Sequence, residues 1–202
     1  MSELRPKDGP PVGRRERKKA RTRAAIQHEA LRLFRDKGYD RTTMEEIAEA
    51  ADVSASTLFR HFASKEALVL TDEYDPLIIE ACRSQPPDLS PIEAVRRGIR
   101  DVFERVSDEG LADIRDRGEL ALSVPDLRAA MLDQLAEAIR DVTAVVAERA
   151  GRPTDDFAVA TLAGAIMGVM LSAELYWIEH PGSDLFALLD DALAGLEGGL
   201  TL

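Results

Sequence analysis

The chain has 202 residues, of which 45% are hydrophobic and 31% charged, a composition that excludes a disordered chain and a disulfide-stapled mini-protein. The single cysteine, Cys82, cannot form an internal disulfide, and the first ten residues lack an apolar segment with a cleavage site, so we expect a cytoplasmic protein. The net charge of −11 is unevenly divided: residues 1–65 contain 15 basic and 10 acidic side chains, whereas residues 66–202 contain 11 and 27. This asymmetry fits a partner that carries phosphate, and it also fits a solvated basic tail on an acidic protein.

The apolar residues recur at the helical period, without the sustained alternation typical of strands, and therefore predict an all-α fold of about nine helices. The first helix is predicted to begin near Arg14–Arg17 and to end at Gly38, a residue suited to the left-handed cap position. Its buried stripe is predicted to contain four residues: Ile26, Ala30, Leu33 and Phe34.

Two short helices are predicted next, at 43–51 and 54–62. The first is preceded by two overlapping capping boxes, Thr42 with Glu45 and Thr43 with Glu46, and Ser54 can cap the second. A fourth helix is predicted to open at Lys65 and to run as far as the proline-rich loop at 84–91.

Five further helices complete the prediction. The fifth follows the cap Ser90, the sixth lies near 111–122, and the seventh opens at Pro125 and stops at Gly151. Thr154 and Ser183 are the predicted caps of the last two helices.

The two short helices have the spacing of a helix-turn-helix unit, in which the second helix enters the major groove of DNA. Residues early in that helix would then face base edges, namely Ala55, Ser56 and Phe59. Hydroxyls and a cation on the flanks would reach phosphates, namely Thr43, Thr57 and Lys65. Spacing alone also fits a helical corner without a ligand, and both interpretations stay open at this point.

The sequence resembles the DNA-binding domain of TetR-family transcriptional regulators over roughly residues 17–70. Three segments carry the resemblance: Thr42-Thr43-Met44-Glu45-Glu46-Ile47-Ala48, Val53-Ser54-Ala55-Ser56-Thr57-Leu58-Phe59-Arg60-His61-Phe62 and Ser64-Lys65-Glu66-Ala67-Leu68. The resemblance implies a basic disordered arm at 1–16, a DNA-binding domain at 17–65, and a helical effector-binding and dimerisation domain at 66–202.

The resemblance also implies roles for single residues. Phosphate contacts fall on Thr43, Thr57, His61 and Lys65, and contacts with bases or the groove floor fall on Ala55, Ser56 and Phe59. The family usually has tyrosine at the position of Phe59, so an apolar contact with a thymine methyl replaces a phenol contact, and Arg60 can supply a phosphate contact instead. Further backbone or minor-groove contacts are expected from the arm and the start of the first helix, through Arg14, Arg15, Arg17, Lys18 and Lys19.

The last two helices are implied to form a four-helix interface with a second copy of the chain. The segment 157–173 carries no charge, but it is shorter than a membrane span and rich in small residues, so we expect no membrane contact. A ridge of small residues and three leucines are the predicted interface residues: Ala160, Gly164, Gly168, Ser172, Leu185, Leu189 and Leu193. Packing within the chain's own core is the alternative for these positions.

An effector pocket is expected among the helices of the acidic body, since small-molecule sites are mostly apolar with a few polar groups. The candidates are Phe103, Leu120, Met131, Leu135, Met167, Met170, Glu174, Tyr176 and Trp177, with His180 as a further polar anchor, although each could equally be core. The segment Ser123-Val124-Pro125-Asp126-Leu127-Arg128 resembles regulators found beside mycofactocin and acyl-thioester metabolism, which implies an acyl-CoA or another lipophilic metabolite as effector.

The predicted function is that of a homodimeric repressor that binds a pseudo-palindromic double-stranded operator and is released by a small apolar effector. No motif predicts a cofactor, a metal site or a catalytic residue, because the three histidines are widely separated and no P-loop, dinucleotide or nucleophile-elbow pattern occurs. A DNA-binding dimer without an effector and, more remotely, a helical enzyme are the alternatives.

Overall fold

The structure, a computed structural model, describes residues 14–72 and 74–200, with the backbone alone for residues 14–17 and 20. The predicted arm at 1–16 therefore lies mostly outside the described residues, as do the side chains of Arg14, Arg15 and Arg17. All regular structure in the described ranges is helical, which confirms the predicted fold class. The chain forms two compact units, one up to Val69 and one from Leu70 onward.

The first unit consists of α1 (Arg14–Lys37), α2 (Met44–Ala50), α3 (Ala55–His61) and the greater part of α4 (Lys65–Leu70). Helix α1 buries the predicted stripe, with all four side chains at most 7% exposed. It ends at Gly38, which has a φ of +87°, a left-handed conformation that glycine adopts without a side-chain clash. Other buried side chains of this small core come from each of the following helices, among them Ile47 of α2, Leu58 of α3 and Leu68 of α4.

The capping boxes compete, and only one of them forms. The Thr43 hydroxyl accepts the Glu46 N–H, and the Glu46 carboxylate accepts the Thr43 N–H. Thr42 is buried and donates its hydroxyl to the carbonyl groups of Leu33 and Gly38, so it fastens the loop to α1 and does not cap α2.

The second unit contains six helices: α5 (Asp75–Ser84), α6 (Pro91–Phe103), α7 (Asp108–Ser123), α8 (Pro125–Ala150), α9 (Phe157–Glu179) and α10 (Leu185–Glu197). Its core lies mainly among α5, α6, α8, α9 and α10. Helices α5 and α6 approach closely at Gly98, where an added Cβ would lie 2.6 Å from the Cys82 Sγ and 2.8 Å from its backbone nitrogen. The guanidinium of Arg96 binds Asp190 through two hydrogen bonds and thereby joins α6 to α10.

Arg149 ties the end of α8 to the loop that follows α5. Its guanidinium donates to the carbonyl groups of Cys82, Gln85 and Pro86. These carbonyl groups lie at the end of α5 and in the loop after it, so one half-buried cation adds a donor to several acceptors at once.

Ten helices are described where about nine were predicted, because the predicted fourth helix is two helices. Asp72 accepts the N–H of Tyr74 and turns the chain, and Pro76 lies in the first turn of α5. Proline lacks the N–H that a continuous helix would need there, and it favours a first turn.

Several predicted helix starts are displaced. Asp156 caps α9 in place of Thr154, and Asp184 caps α10 in place of Ser183, whose hydroxyl donates to the carbonyl of His180. Helix α7 begins at Asp108 after the cap Ser107, ahead of the predicted start near residue 111. In each case a neighbouring polar side chain caps the helix from a different position.

Candidate nucleic-acid interface

Helices α2 and α3 are joined by a four-residue turn, Ala51–Ser54, whose geometry is fixed locally. Asp52 adopts a φ of +50°, and the N–H of Val53 donates to the carbonyl of Ala48. The Ser54 side chain then accepts the N–H of Thr57 at 3.1 Å and donates its own proton to the Thr57 hydroxyl at 2.9 Å. This turn therefore sets the direction of α3 through its own hydrogen bonds.

Helix α3 has one buried and one exposed side. Leu58 is fully buried, whereas Ala55, Ser56 and Arg60 are exposed. Phe59 is 49% exposed, although a large apolar side chain is usually covered. The residues predicted to face base edges thus lie together on the open side of a helix seven residues long.

The predicted phosphate-contact residues lie beside this open side, and each is placed by other parts of the chain. Thr43 is exposed at the start of α2, and Glu46 of its capping box also accepts Lys37 Nζ at 2.7 Å, an interaction that lowers the pKa of Glu46. Thr57 accepts the hydroxyl proton of Ser54, so its own hydroxyl proton can be donated to a ligand.

Lys65 has a structural role that the sequence did not reveal. Its ammonium group donates to the carbonyl groups of Tyr39 at 2.9 Å and Thr42 at 3.3 Å, and it lies 4.3 Å from the centre of the Tyr39 ring. An ammonium group has three N–H donors, so one donor is left for a phosphate. Lys65 therefore holds the α1–α2 loop as well as being a candidate contact.

His61 lies at the end of α3, next to cations of α1. Burial and the charges of Arg60, Arg23 and Lys19 lower the pKa of its imidazole. Arg23 donates from Nη1 to the carbonyl of His61 at 2.9 Å, and its guanidinium lies 4.3 Å from the centre of the Phe62 ring. Sequence reasoning missed Arg23, because its partner lies 38 residues away.

The residues predicted for an effector pocket are not all brought together. Trp177 is buried in the core, with the Arg115 guanidinium 3.9 Å from its ring centre, and Phe103, Met167 and Met170 pack against the same core. Leu120, Met131 and Leu135 are partly buried on α7 and α8. Tyr176, adjacent to Trp177 on the helix, is 49% exposed and stacks on His180 at 3.8 Å.

Glu174 is the polar member of this set. It retains accessible surface, yet desolvation by the surrounding protein raises its pKa to about 7, and the carboxylates of Asp75 and Asp72 add to the effect. Desolvation and the charge of Asp72 likewise raise the pKa of Asp75 to about 7, against the opposite effect of Arg117. Glu174 is itself exposed, and its raised pKa reflects its position near two other carboxyl groups of the unit.

The predicted dimer residues divide into two groups. Ala160, Gly168 and Ser172 are exposed, and a Cβ added at Gly164 or Gly168 would meet no atom within 4 Å. The three leucines predicted beside them, Leu185, Leu189 and Leu193, are at most 3% exposed and belong to the chain's own core. The outer side of α10 is formed instead by residues such as Ala187 and Asp191.

Helix α9 is also apolar on its outer side. Among the described residues it is the one helix that is long and apolar enough to cross a membrane by length and composition, a property that core helices share. No group of three or more potential metal ligands occurs among the described residues.

Two family models match the chain. The model described as bacterial regulatory proteins, tetR family, matches residues 26–71, which include the helix-turn-helix unit, and the model described as MftR C-terminal domain matches residues 89–201. The chain belongs to the TetR family of bacterial regulatory proteins. It is a helix-turn-helix transcriptional regulator, as its resemblance to the family implied.

Relatives within the TetR family match nearly the whole chain. The HTH-type transcriptional regulator TcmR of Streptomyces glaucescens is 35% identical over 188 residues, which cover 87% of this chain and 81% of TcmR. MftR of Mycobacterium tuberculosis, named as a mycofactocin biosynthesis transcriptional regulator, is 28% identical over 190 residues, 94% of each chain. These relatives and both family models are regulators, which confirms the prediction that the chain is not an enzyme.

A solved structure of a TetR-family repressor has the same fold. FadR of Thermus thermophilus, solved in complex with lauroyl-CoA, is 27% identical, with a TM-score of 0.52 and coverage of 89% of this chain and 95% of FadR.

Proposed function

We propose that this TetR-family regulator is a repressor that binds a pseudo-palindromic operator as a homodimer and is released by a small lipophilic effector. The observation that carries the DNA-binding part is the open side of α3, on which Ser56, Phe59 and Arg60 are exposed together beside Thr43. Ser56 and Phe59 would contact base edges, and the flanking polar groups would contact phosphates.

The operator follows from two copies of this geometry. Two recognition helices that enter successive major grooves require half-sites about 34–36 Å apart. Selection of bound sequences from a random duplex pool tests this part: we expect an inverted repeat with that spacing. Recovery of a single unrepeated site, or of no enriched sequence, would contradict it.

The outer side of α9 supports self-association. Gly164 and Gly168 leave open backbone on an apolar helix, where a second helix can approach closely. We expect Gly168→Arg to convert a dimer into a monomer that folds normally, since a Cβ added there would meet no atom of its own chain within 4 Å. Light scattering after gel filtration measures this change, with Gly182→Arg as the control in a loop that is equally open.

The effector part is supported by the apolar side chains that pack around Trp177 in the second unit and by the lauroyl-CoA complex of FadR. A thermal-shift series with lauroyl-CoA and with acyl chains of other lengths tests it, because a ligand that binds only the folded chain raises the melting temperature. An effector should also dissociate the selected operator duplex. If acyl compounds change neither property, the alternative of a dimer without a lipophilic effector replaces this part of the proposal.

A further inference from the structure

The carboxylate of Asp72 holds the short segment between α4 and α5, which we call the joint (Thr71, Asp72 and Tyr74). Asp72 Oδ1 accepts the N–H of Tyr74 at 2.8 Å, and Asp72 Oδ2 accepts a hydrogen bond from Arg117 Nη2 of α7 at 2.7 Å. Arg117 is only 8% exposed, and arginine is rarely buried so deeply without a carboxylate partner. The two hydrogen bonds of Asp72 thus form a latch that fastens the joint to α7.

Helix α7 contacts both the joint and α9. A Cβ added at Gly110 would lie 2.8 Å from the hydroxyl oxygen of Tyr74, and one added at Gly118 would lie 2.5 Å from Cδ1 of Ile178 on α9. Such close packing fixes α7 against both neighbours. Arg117 precedes Gly118 directly, so it binds the joint from a position beside α9.

Two further carboxyl groups lie near the latch. Asp75 follows Asp72 by three residues, at the start of α5, and Glu174 lies one turn before Ile178 on the same side of α9. Desolvation and neighbouring carboxylates raise the pKa of Asp75 and of Glu174 to about 7, with Asp72 acting on each. Both side chains keep accessible surface, so they can exchange protons with the solvent.

Other charged side chains act on the same region. Arg117 opposes the rise in the pKa of Asp75, whereas Asp141 of α8 adds to it. On α7 itself, Asp113 lies one turn before Arg117. The guanidinium of Arg115 is bound elsewhere, since it donates to a backbone carbonyl of α9 at 2.8 Å.

The charge balance of the latch depends on the protons of Asp75 and Glu174. When both are protonated, the Asp72 carboxylate is balanced by the Arg117 guanidinium. When both are ionised, three carboxylates lie around this one guanidinium, so they compete for it and repel one another.

We propose that the latch is closed while Asp75 and Glu174 hold their protons and that it opens when both become anions. The inference goes beyond the proposed function, because it depends on neither an operator nor an effector. The closed latch holds more protons than the open one. Its stability is therefore complete at low pH and is lost as the pH rises from about 4, near the ordinary pKa of a carboxyl group, to about 7. Proton uptake is thereby an input at the segment that follows the DNA-binding helices.

Hydrogen exchange of the full chain, followed by NMR, measures the latch directly, because Asp72 protects the N–H of Tyr74. The wild type is compared with the double variant Asp75→Asn/Glu174→Gln, whose side chains have nearly the same shape but no charge. The ratio of the two exchange rates at one pH gives the ratio of the two opening constants. Between pH 6 and pH 7.5 we expect this ratio for the Tyr74 amide to rise about fivefold, since solvent screening reduces the limit of about tenfold per proton and pH unit.

The matched control is Asp133→Asn/Glu179→Gln, which removes one exposed carboxylate from α8 and one from α9. The ratio of the wild-type rate to the control rate should stay near one at both pH values. A ratio that is independent of pH for the first double variant, or that changes equally for the control, would overturn the proposal.

A second comparison separates opening of the joint from unfolding of the whole unit. The Tyr74 amide should open more often than the amides of the core segment 142–147, which exchange when the unit unfolds. Equal opening constants for the two segments would mean that the joint opens only together with the unit, and the proposed latch would be wrong.

Discussion

The two units of this regulator differ in how their residues are held. In the first unit, the turn and the start of each short helix are fixed by side chains within a few residues of one another, such as Ser54 with Thr57 and Thr43 with Glu46. In the second unit, the decisive contacts join distant parts of the chain, such as Arg96 with Asp190 and Cys82 with Gly98. The turn and the starts of α2 and α3 are therefore encoded locally, whereas the body depends on long-range packing.

The largest effect that tests this contrast is expected at Gly98. In Gly98→Ala the new Cβ would lie 2.8 Å from the backbone nitrogen of Cys82, so α5 and α6 must separate. We expect the free energy of unfolding to fall by about 3 kcal/mol, the upper part of the range for overpacking. Chemical denaturation measures the change. Gly182→Ala, where no atom lies within 4 Å, should change stability by well under 1 kcal/mol, and equal effects of the two variants would contradict the close approach.

An intermediate effect is expected at Lys65. Lys65→Ala removes a candidate phosphate contact and also the bonds to the carbonyl groups of Tyr39 and Thr42. We expect DNA affinity to fall by about tenfold for every sequence. The slope of log affinity against log salt concentration should also fall by about one, because one fewer phosphate is neutralised. Ser56→Ala should instead change the ranking among sequences. Binding titrations against the selected operator and a scrambled duplex measure the affinities of both variants. If Ser56→Ala leaves the preference for the operator unchanged, Ser56 does not contact a base.

The smallest effect is expected at Glu174 and depends on pH. A carboxyl group whose pKa is raised in the folded chain holds its proton more tightly there, so its contribution favours folding at low pH and is lost as the pH rises from about 4 to about 7. The side chain retains accessible surface, and solvent screening reduces the expected effect to about 1 kcal/mol or less. Glu174→Gln should therefore raise the melting temperature at pH 8 and leave it unchanged near pH 4.

The control for this change is Glu179→Gln, an exposed position on the same helix, which should show no such difference between the two pH values. Equal behaviour of Glu174→Gln and Glu179→Gln would place the Glu174 carboxyl in open solvent.

Sequence reasoning predicted the features that depend on neighbouring residues. Gly38 and Gly151 end α1 and α8 with positive φ values, and Thr43 and Ser54 cap α2 and α3, because such signals act within one turn of helix. Where two polar residues that can cap a helix lie two positions apart, as Thr154 and Asp156 do, the sequence does not decide between them. The division between α4 and α5 was missed although Pro76 signalled it.

The remaining differences between the predicted and the observed structure come from contacts between residues far apart in the sequence. The helical period places Leu185, Leu189 and Leu193 on one side of α10, but it does not tell whether that side meets α9 of the same chain or a second copy. The hydrogen bonds from Lys65 to carbonyl groups 23 and 26 residues away are likewise long-range contacts, which local sequence patterns do not predict.

The two sides of α9 have a consequence for how such regulators diversify. Ala163, Ile166 and Trp177 pack into the core, so changes there would alter the folding of the single chain. A Cβ added at Gly164 or Gly168 would meet no atom within 4 Å, so small replacements there carry little folding cost. In the dimer proposed above, natural variation along this side would therefore create copies that recognise only their own kind, and it would keep related regulators in one cell from forming mixed pairs.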